Sequence, residues 1–184
     1  MRRKNLTGER IMSYISQALL ILMKNEPYEK ITISEIAKKA GVDRTTYYRH
    51  FSSKVEILSK YLDSIMQEFL DTYKKSGSTD FTQYILTIFR TIYLHKDNLL
   101  LIHRSEQSYL LLNVLSKRFF FDEFMKNAAV EKQYEVSYTI GGIYNNCILW
   151  FSRGMKETPE QMSEIALSFK TEESLTMLNV QPIK

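Results

Sequence analysis

Between Thr32 and Phe51 the chain carries start and stop signals for two helices so short that little choice of geometry is left. Thr32 stands three residues before Glu35, the pairing of a capping box. In that box the threonine hydroxyl takes an orphan amide and the glutamate reaches back to the threonine N–H. Ile33, Ile36, Ala37 and Ala40 then share one face. Gly41 stops the helix, because glycine takes left-handed backbone most readily. After Val42, Asp43 is suited to cap a second helix from about Arg44 to Phe51. Ser52-Ser53 opens a longer one, with Val55, Leu58, Leu62, Ile65, Met66 and Phe69 spaced for one face down to about Lys75.

The flanks repeat the helical period. From Thr7 to Lys24, apolar residues fall at Ile11, Ile15, Ala18, Leu19 and Leu22, and Asn25-Glu26-Pro27-Tyr28 breaks the pattern. Lys74 to Asp80 is polar and marks the clearest boundary. Beyond it, helical patterns cover about 81–94, 97–102, 107–126, 130–154 and 159–170, the last opened by Thr158-Pro159-Glu160 with proline in its first turn. Only three prolines and six glycines interrupt 184 residues, and no strand alternation or internal repeat is visible. The expectation is an all-α protein of about nine helices: residues 1–55 as a three-helix unit with a helix-turn-helix at 32–51, 56–75 as a connecting helix, and 76–184 as a C-terminal body. The tail after Lys170 lacks periodicity.

Composition narrows the class. No apolar run approaches the ~18 residues of a membrane span, and the basic Met1-Arg2-Arg3-Lys4 is not followed by an apolar stretch with a cleavage site, so neither membrane nor secretion is expected. A cytoplasmic protein is the natural reading. Cys147 is the only cysteine, which excludes an intrachain disulfide and a cysteine metal cage; in mid-helix it reads as core. Charge is uneven. Residues 1–60 carry twelve Lys/Arg against six Asp/Glu, while the remainder carries thirteen against fifteen. A basic N-terminal third on a near-neutral body points to a polyanion partner at one end.

The content of residues 44–54 sharpens that. Arg44, Thr45, Thr46, Tyr48, Arg49, His50 and Lys54 crowd hydrogen-bonding groups onto a short rod, while Val42, Tyr47 and Phe51 supply apolar anchors. Two short helices joined by a tight turn, the second rich in such groups, suit a DNA major groove. The run from Thr32 to Lys54 (TISEIAKKAGVDRTTYYRHFSSK) resembles the signature of the tetracycline-repressor (TetR) family, and the resemblance extends over about the first 65 residues. It implies a homodimer with N-terminal DNA-binding heads and C-terminal helical ligand-binding bodies. Asp43 stands where serine is common in the family, Thr45 where glycine is, Tyr47 where leucine is, and Ser52 where proline or lysine often sits.

Roles follow on that reading. Arg44 and Thr45 read base edges, arginine pairing in bidentate fashion with guanine. Thr46, Tyr48 and His50 position the helix on phosphates, Tyr48 being able to touch a thymine methyl as well, and Arg49 either contacts DNA or is solvated or salt-bridged. Lys54 pairs with a phosphate beside free amides in the first turn of the fourth helix, having no packing purpose of its own, and the amide and hydroxyl of Thr32 do the same at the second helix. Arg2, Arg3 and Lys4 form an arm for the minor groove, or a disordered tail.

The body is less legible. Gly141-Gly142 inside a helical pattern costs about 1 kcal/mol per glycine, which close approach of another helix would offset. The resemblance implies a four-helix dimer bundle, placing Gly142, Asn146, Leu149, Trp150, Met162, Ile165 and Phe169 at the interface. The run from Gly141 to Phe151, with Gly154-Met155 and Thr158-Pro159-Glu160, also resembles regulators of the dihydroxyacetone-kinase activator type of Gram-positive bacteria. Phe81, Tyr84, Phe89, Tyr93, Tyr109, Phe119, Phe120, Phe121 and Phe124 either pack as core or line a pocket for a small apolar or aromatic effector. His95, His103 and Glu106 lack an evident third ligand, so no metal or cofactor is expected. No catalytic grouping is visible, and a helical enzyme has no motif support. A helical lipid carrier or adaptor leaves residues 32–54 unexplained. The reading is a dimeric repressor on a palindromic operator in double-stranded DNA, released by a small molecule. The alternative is a coactivator-type regulator that answers to a protein partner.

Overall fold

The expected capping box closes the first turn of the second helix. Thr32 Oγ1 accepts the Glu35 amide at 3.2 Å, and Glu35 Oε2 accepts the Thr32 amide at 2.7 Å. The computed structural model describes residues 2–118, 126 and 128–169, with side chains from Gly8 onward. Among the described residues there are nine α-helices and no strand. They are α1 (Arg2–Met23), α2 (Ile33–Ala40), α3 (Arg44–His50), α4 (Lys54–Ser76), α5 (Phe81–Leu94), α6 (Lys96–Arg104), α7 (Tyr109–Arg118), α8 (Val130–Ser152) and α9 (Pro159–Ser168). A 3-10 turn, Tyr28–Lys30, joins α1 to α2.

Boundaries follow local chemistry. Pro27 and the turn after it end the α1 pattern. Gly41 takes φ 70°, left-handed backbone that a side chain would strain, and ends α2. Asp43 accepts the Thr46 amide at 2.6 Å and starts α3. Ser53 accepts the Glu56 amide at 3.2 Å and starts α4. Thr158 and Gln161 form a second capping box at α9, with Pro159 in the first turn.

One apolar cluster holds these helices together, running from Ile15 in α1 to Met162 in α9. Its N-terminal part packs Ile15, Leu19, Ile36, Tyr47, Phe51 and Leu58 from four helices, each essentially without exposure. That packing fixes α3 chiefly through Tyr47 and Phe51 and leaves Arg44, Thr45, Tyr48 and Arg49 exposed. In the body α9 packs chiefly on α5, and α8 on α6 and α7. Arg118 at the end of α7 grips Asp63 of α4 with two parallel bonds, 2.7 and 2.8 Å. Among the described residues no helix is long and apolar enough to cross a membrane.

Candidate nucleic-acid interface

Helix α3 is pinned from inside. Tyr47 is fully buried, Phe51 is 1 % exposed, and their rings lie 6.2 Å apart. Arg44, Thr45, Tyr48 and Arg49 therefore fall on the solvent side. Tyr48 is 50 % exposed. Tyr47 meets it edge to face at 5.3 Å, and the Arg44 guanidinium stands 6.0 Å from the Tyr48 ring centre. Among the described residues neither Arg44 nor Arg49 is in an ion pair, and both are exposed. The result is a short rod with two cations, a hydroxyl and a phenol outward, held by a rigid apolar underside.

Other expected site residues are placed differently. The Thr46 hydroxyl donates to Asp43 Oδ2 at 3.2 Å, so it serves the cap. His50 is half-buried and lies over Gly8 of α1, and its carbonyl accepts Lys60 Nζ at 3.1 Å. The amide and hydroxyl of Thr32 both donate to Glu35 Oε2, at 2.7 and 2.6 Å. A phosphate there would have to displace a carboxylate whose pKa is lowered by its hydrogen bonds from Thr32. The larger correction concerns Lys54, which does have a packing role. Its ammonium donates to the carbonyls of Tyr28 at 2.6 Å and Ile31 at 2.8 Å, approaches that of Glu29 at 3.4 Å, and stands 4.5 Å from the Tyr28 ring centre. Sequence gave no sign of this, because the three carbonyls lie more than twenty residues upstream. The backbone of Arg2, Arg3 and Lys4 continues α1 and does not leave it as an arm.

In the body, Trp150 and Met162 are 1 % and 6 % exposed. Trp150 lies against Phe89 and Tyr93, and its indole N–H donates to the Glu157 carbonyl at 3.1 Å. Both belong to the chain's own core and are out of reach of a second copy. Leu149, Ile165 and Phe169 are exposed by 60 %, 40 % and 72 %, Gly142 is exposed, and Asn146 is half-buried. A Cβ at Gly141 or Gly142 would meet nothing within 4 Å, so no neighbouring helix of this chain requires either glycine.

Of the expected pocket aromatics, Phe81 stacks on Tyr84, which also meets Phe69 and Tyr73, while Phe89 and Tyr93 pack on Trp150 and Tyr109 is exposed. Phe119, Phe120, Phe121 and Phe124 lie outside the described residues. An open cleft of about 630 Å³ lies elsewhere, between residues 23–29 and the turn from Leu101 to Glu106. His95 is held by Tyr61 at 3.1 Å and Glu68 at 2.9 Å, and His103 by Ser108 at 2.9 Å and Ser152 at 3.2 Å. Among the described residues no group of three His, Cys, Asp or Glu is placed to hold a metal. Cys147 is core, its thiol pushed up to about 12 by burial.

A helix-turn-helix with a solvent-facing polar second helix on an all-helical body defines the class. Residues 15–61 match the family described as bacterial regulatory proteins, tetR family, and residues 79–170 match the transcriptional regulator C-terminal region. The second match covers half of the chain, and the chain belongs to the TetR family of transcriptional regulators. It is 22 % identical over 165 residues to YxbF of Bacillus subtilis (strain 168), an uncharacterized HTH-type transcriptional regulator, covering 82 % of this chain. It is 30 % identical over 95 residues, 48 % of this chain, to YvdT of the same organism, also an uncharacterized HTH-type transcriptional regulator. The aligned stretches span 42 % of YxbF and 49 % of YvdT.

Proposed function

We propose that the protein is a dimeric repressor whose α3 lies in the major groove of a palindromic operator, released when a small molecule binds the body. The observation that carries the DNA contact is the split of α3 between buried Tyr47 and exposed Arg44, Thr45, Tyr48 and Arg49. Arg44 and Thr45, at the N-terminal end of α3, read bases, and Tyr48 and Arg49 contact the backbone. Thr46, His50 and Thr32 serve mainly to set the helices.

Dimerisation finds support in α8. Tyr134 and Tyr138 are exposed by 74 % and 85 %, and with Gly142 and Leu149 they line one helical stripe. An apolar stripe of that kind with two glycines suits close packing against a second copy, with Asn146, Ile165 and Phe169 at its edge. Such a dimer must set the two α3 helices about 34–36 Å apart to reach successive major grooves. Ligand release is then a shift between two head spacings.

Selection of bound genomic fragments followed by gel shift tests this. Arg44→Ala and Tyr48→Ala should remove operator binding while helical circular dichroism stays unchanged. Full binding by both variants would overturn the assignment of α3.

A further inference from the structure

Lys54 opens α4, two residues past Ser52, yet its ammonium sits on the carbonyls that precede α2. Thr32, the cap of α2, follows Ile31 directly, and Ser53, the cap of α4, precedes Lys54 directly. The bond from Lys54 Nζ to the Ile31 carbonyl, 2.8 Å long, therefore joins the two ends of the segment that contains α2, the turn and α3. We infer that Lys54 is a staple that closes the helix-turn-helix into a ring and sets the pose of α3, and is not a phosphate ligand. This deepens the DNA-binding reading and rests on it.

The chemistry fits a lysine. An ammonium has three donors, and here two point at carbonyls at 2.6 and 2.8 Å while a third carbonyl lies at 3.4 Å. Those carbonyls belong to the short 3-10 turn and the residue after it, where the Tyr28 oxygen takes only the Ile31 amide, at 3.3 Å, and has a lone pair left for the ammonium. The Tyr28 ring covers the same charge from 4.5 Å. A phosphate could recruit this nitrogen only by taking it from acceptors already in place. A guanidinium is a planar fork and cannot point three donors at three converging oxygens. Arginine at this position would keep the charge and lose the staple.

Lys54→Met and Lys54→Arg in the full chain separate the two roles. Without DNA, hydrogen exchange at the amides of residues 31–36 should quicken in both variants; wild-type rates in both would overturn the staple. On a fluorescent random-sequence duplex of about 30 base pairs, both folded variants should bind about tenfold more weakly. A role in stability alone would lower the melting temperature and leave that affinity unchanged. The slope of log affinity against log salt should stay at the wild-type value. A fall of about 0.9 in Lys54→Met, with Lys54→Arg like wild type, would mean a lost phosphate contact and overturn the inference. Failure of the wild-type protein to bind any duplex would sink the DNA reading, while the exchange measurement would still decide the staple.

Discussion

Helices α2, α3 and α4 each have a carboxylate fastened across the first turn, whereas α6 and α8 begin with no side-chain cap. Glu35 holds the Thr32 amide, Asp43 the Thr46 amide, and Glu56 the Ser52 amide at 2.7 Å. In the body α5 starts on Asp80 and α9 on the neutral pair Thr158 and Gln161. The N-terminal unit is thus specified residue by residue, and the body mostly by burial. Helix α8 shows the difference at its widest. Of its 23 residues only Ile140, Cys147, Trp150 and Phe151 are buried, and none of them lies in the first ten. Among the described residues no cap starts it, and of its first ten residues only Val136 packs on the core.

The comparison breaks most visibly in the core. Phe51→Ala in the N-terminal unit and Trp150→Ala in the body should each cost about 3–5 kcal/mol. Because one apolar cluster spans both units, either variant should lower a single melting transition. Circular dichroism and tryptophan fluorescence should therefore coincide for wild type and Phe51→Ala. Two separated transitions would show that the units fold independently.

Two glycines should answer in opposite directions. Gly41 takes φ 70°, so Gly41→Ala should destabilise by about 1 kcal/mol despite open space around it. Gly142 lies mid-helix with nothing within 4 Å of an added Cβ, so Gly142→Ala should stabilise the monomer by about 1 kcal/mol. Urea titration measures both. If α8 packs against a second copy, Gly142→Ala should also weaken self-association in sedimentation, and unchanged association would move the dimer face away from Gly142.

Tyr47 sharpens the account of the N-terminal core. Its ring anchors α3, yet its buried hydroxyl has no hydrogen-bond partner, and burial pushes its pKa up to about 12. Tyr47→Phe keeps the ring and removes the stranded hydroxyl, and should be neutral or stabilising by roughly 1 kcal/mol. A loss of stability on that substitution would reveal a partner for the hydroxyl.

This division also decides what sequence could tell. Thr32, Glu35, Gly41, Asp43 and Ser53 act on neighbours within three or four residues, so pattern alone located α2, α3 and the start of α4. The outward set of Arg44, Thr45, Tyr48 and Arg49 followed from the same register. Lys54 was misjudged because its acceptors lie across a fold that spacing does not encode. Trp150 and Met162 were misassigned for a related reason: helical periodicity says that a residue lies on an apolar face, but not which helix covers it. Here α5 covers that region, while Leu149 and Phe169 stay exposed.

The smallest expected effect concerns acid. Glu56 accepts the Ser52 amide and hydroxyl, and these bonds, with Lys60 beside it, take its pKa from 4.5 to about 2. Glu35 and Asp43 are lowered as well, by hydrogen bonds from Thr32 and from Thr46 and by nearby cations. A carboxylate whose folded pKa lies below its unfolded value binds protons more weakly when folded. Its contribution is complete above about pH 4.5 and fades as pH falls toward about 2. Amide exchange at Thr46 and Ser52 should therefore quicken in this window beyond the intrinsic pH dependence; the start of α9, where Arg90 and a backbone hydrogen bond hold Glu160 low as well, should respond too. Glu56→Gln should remove a few-fold part of that response at Ser52 and none at Thr46, where Asp43 supplies the cap. An acid response at Ser52 that Glu56→Gln leaves unchanged would mean that the cap is not its source, and the contrast between the two units would have to rest on packing alone.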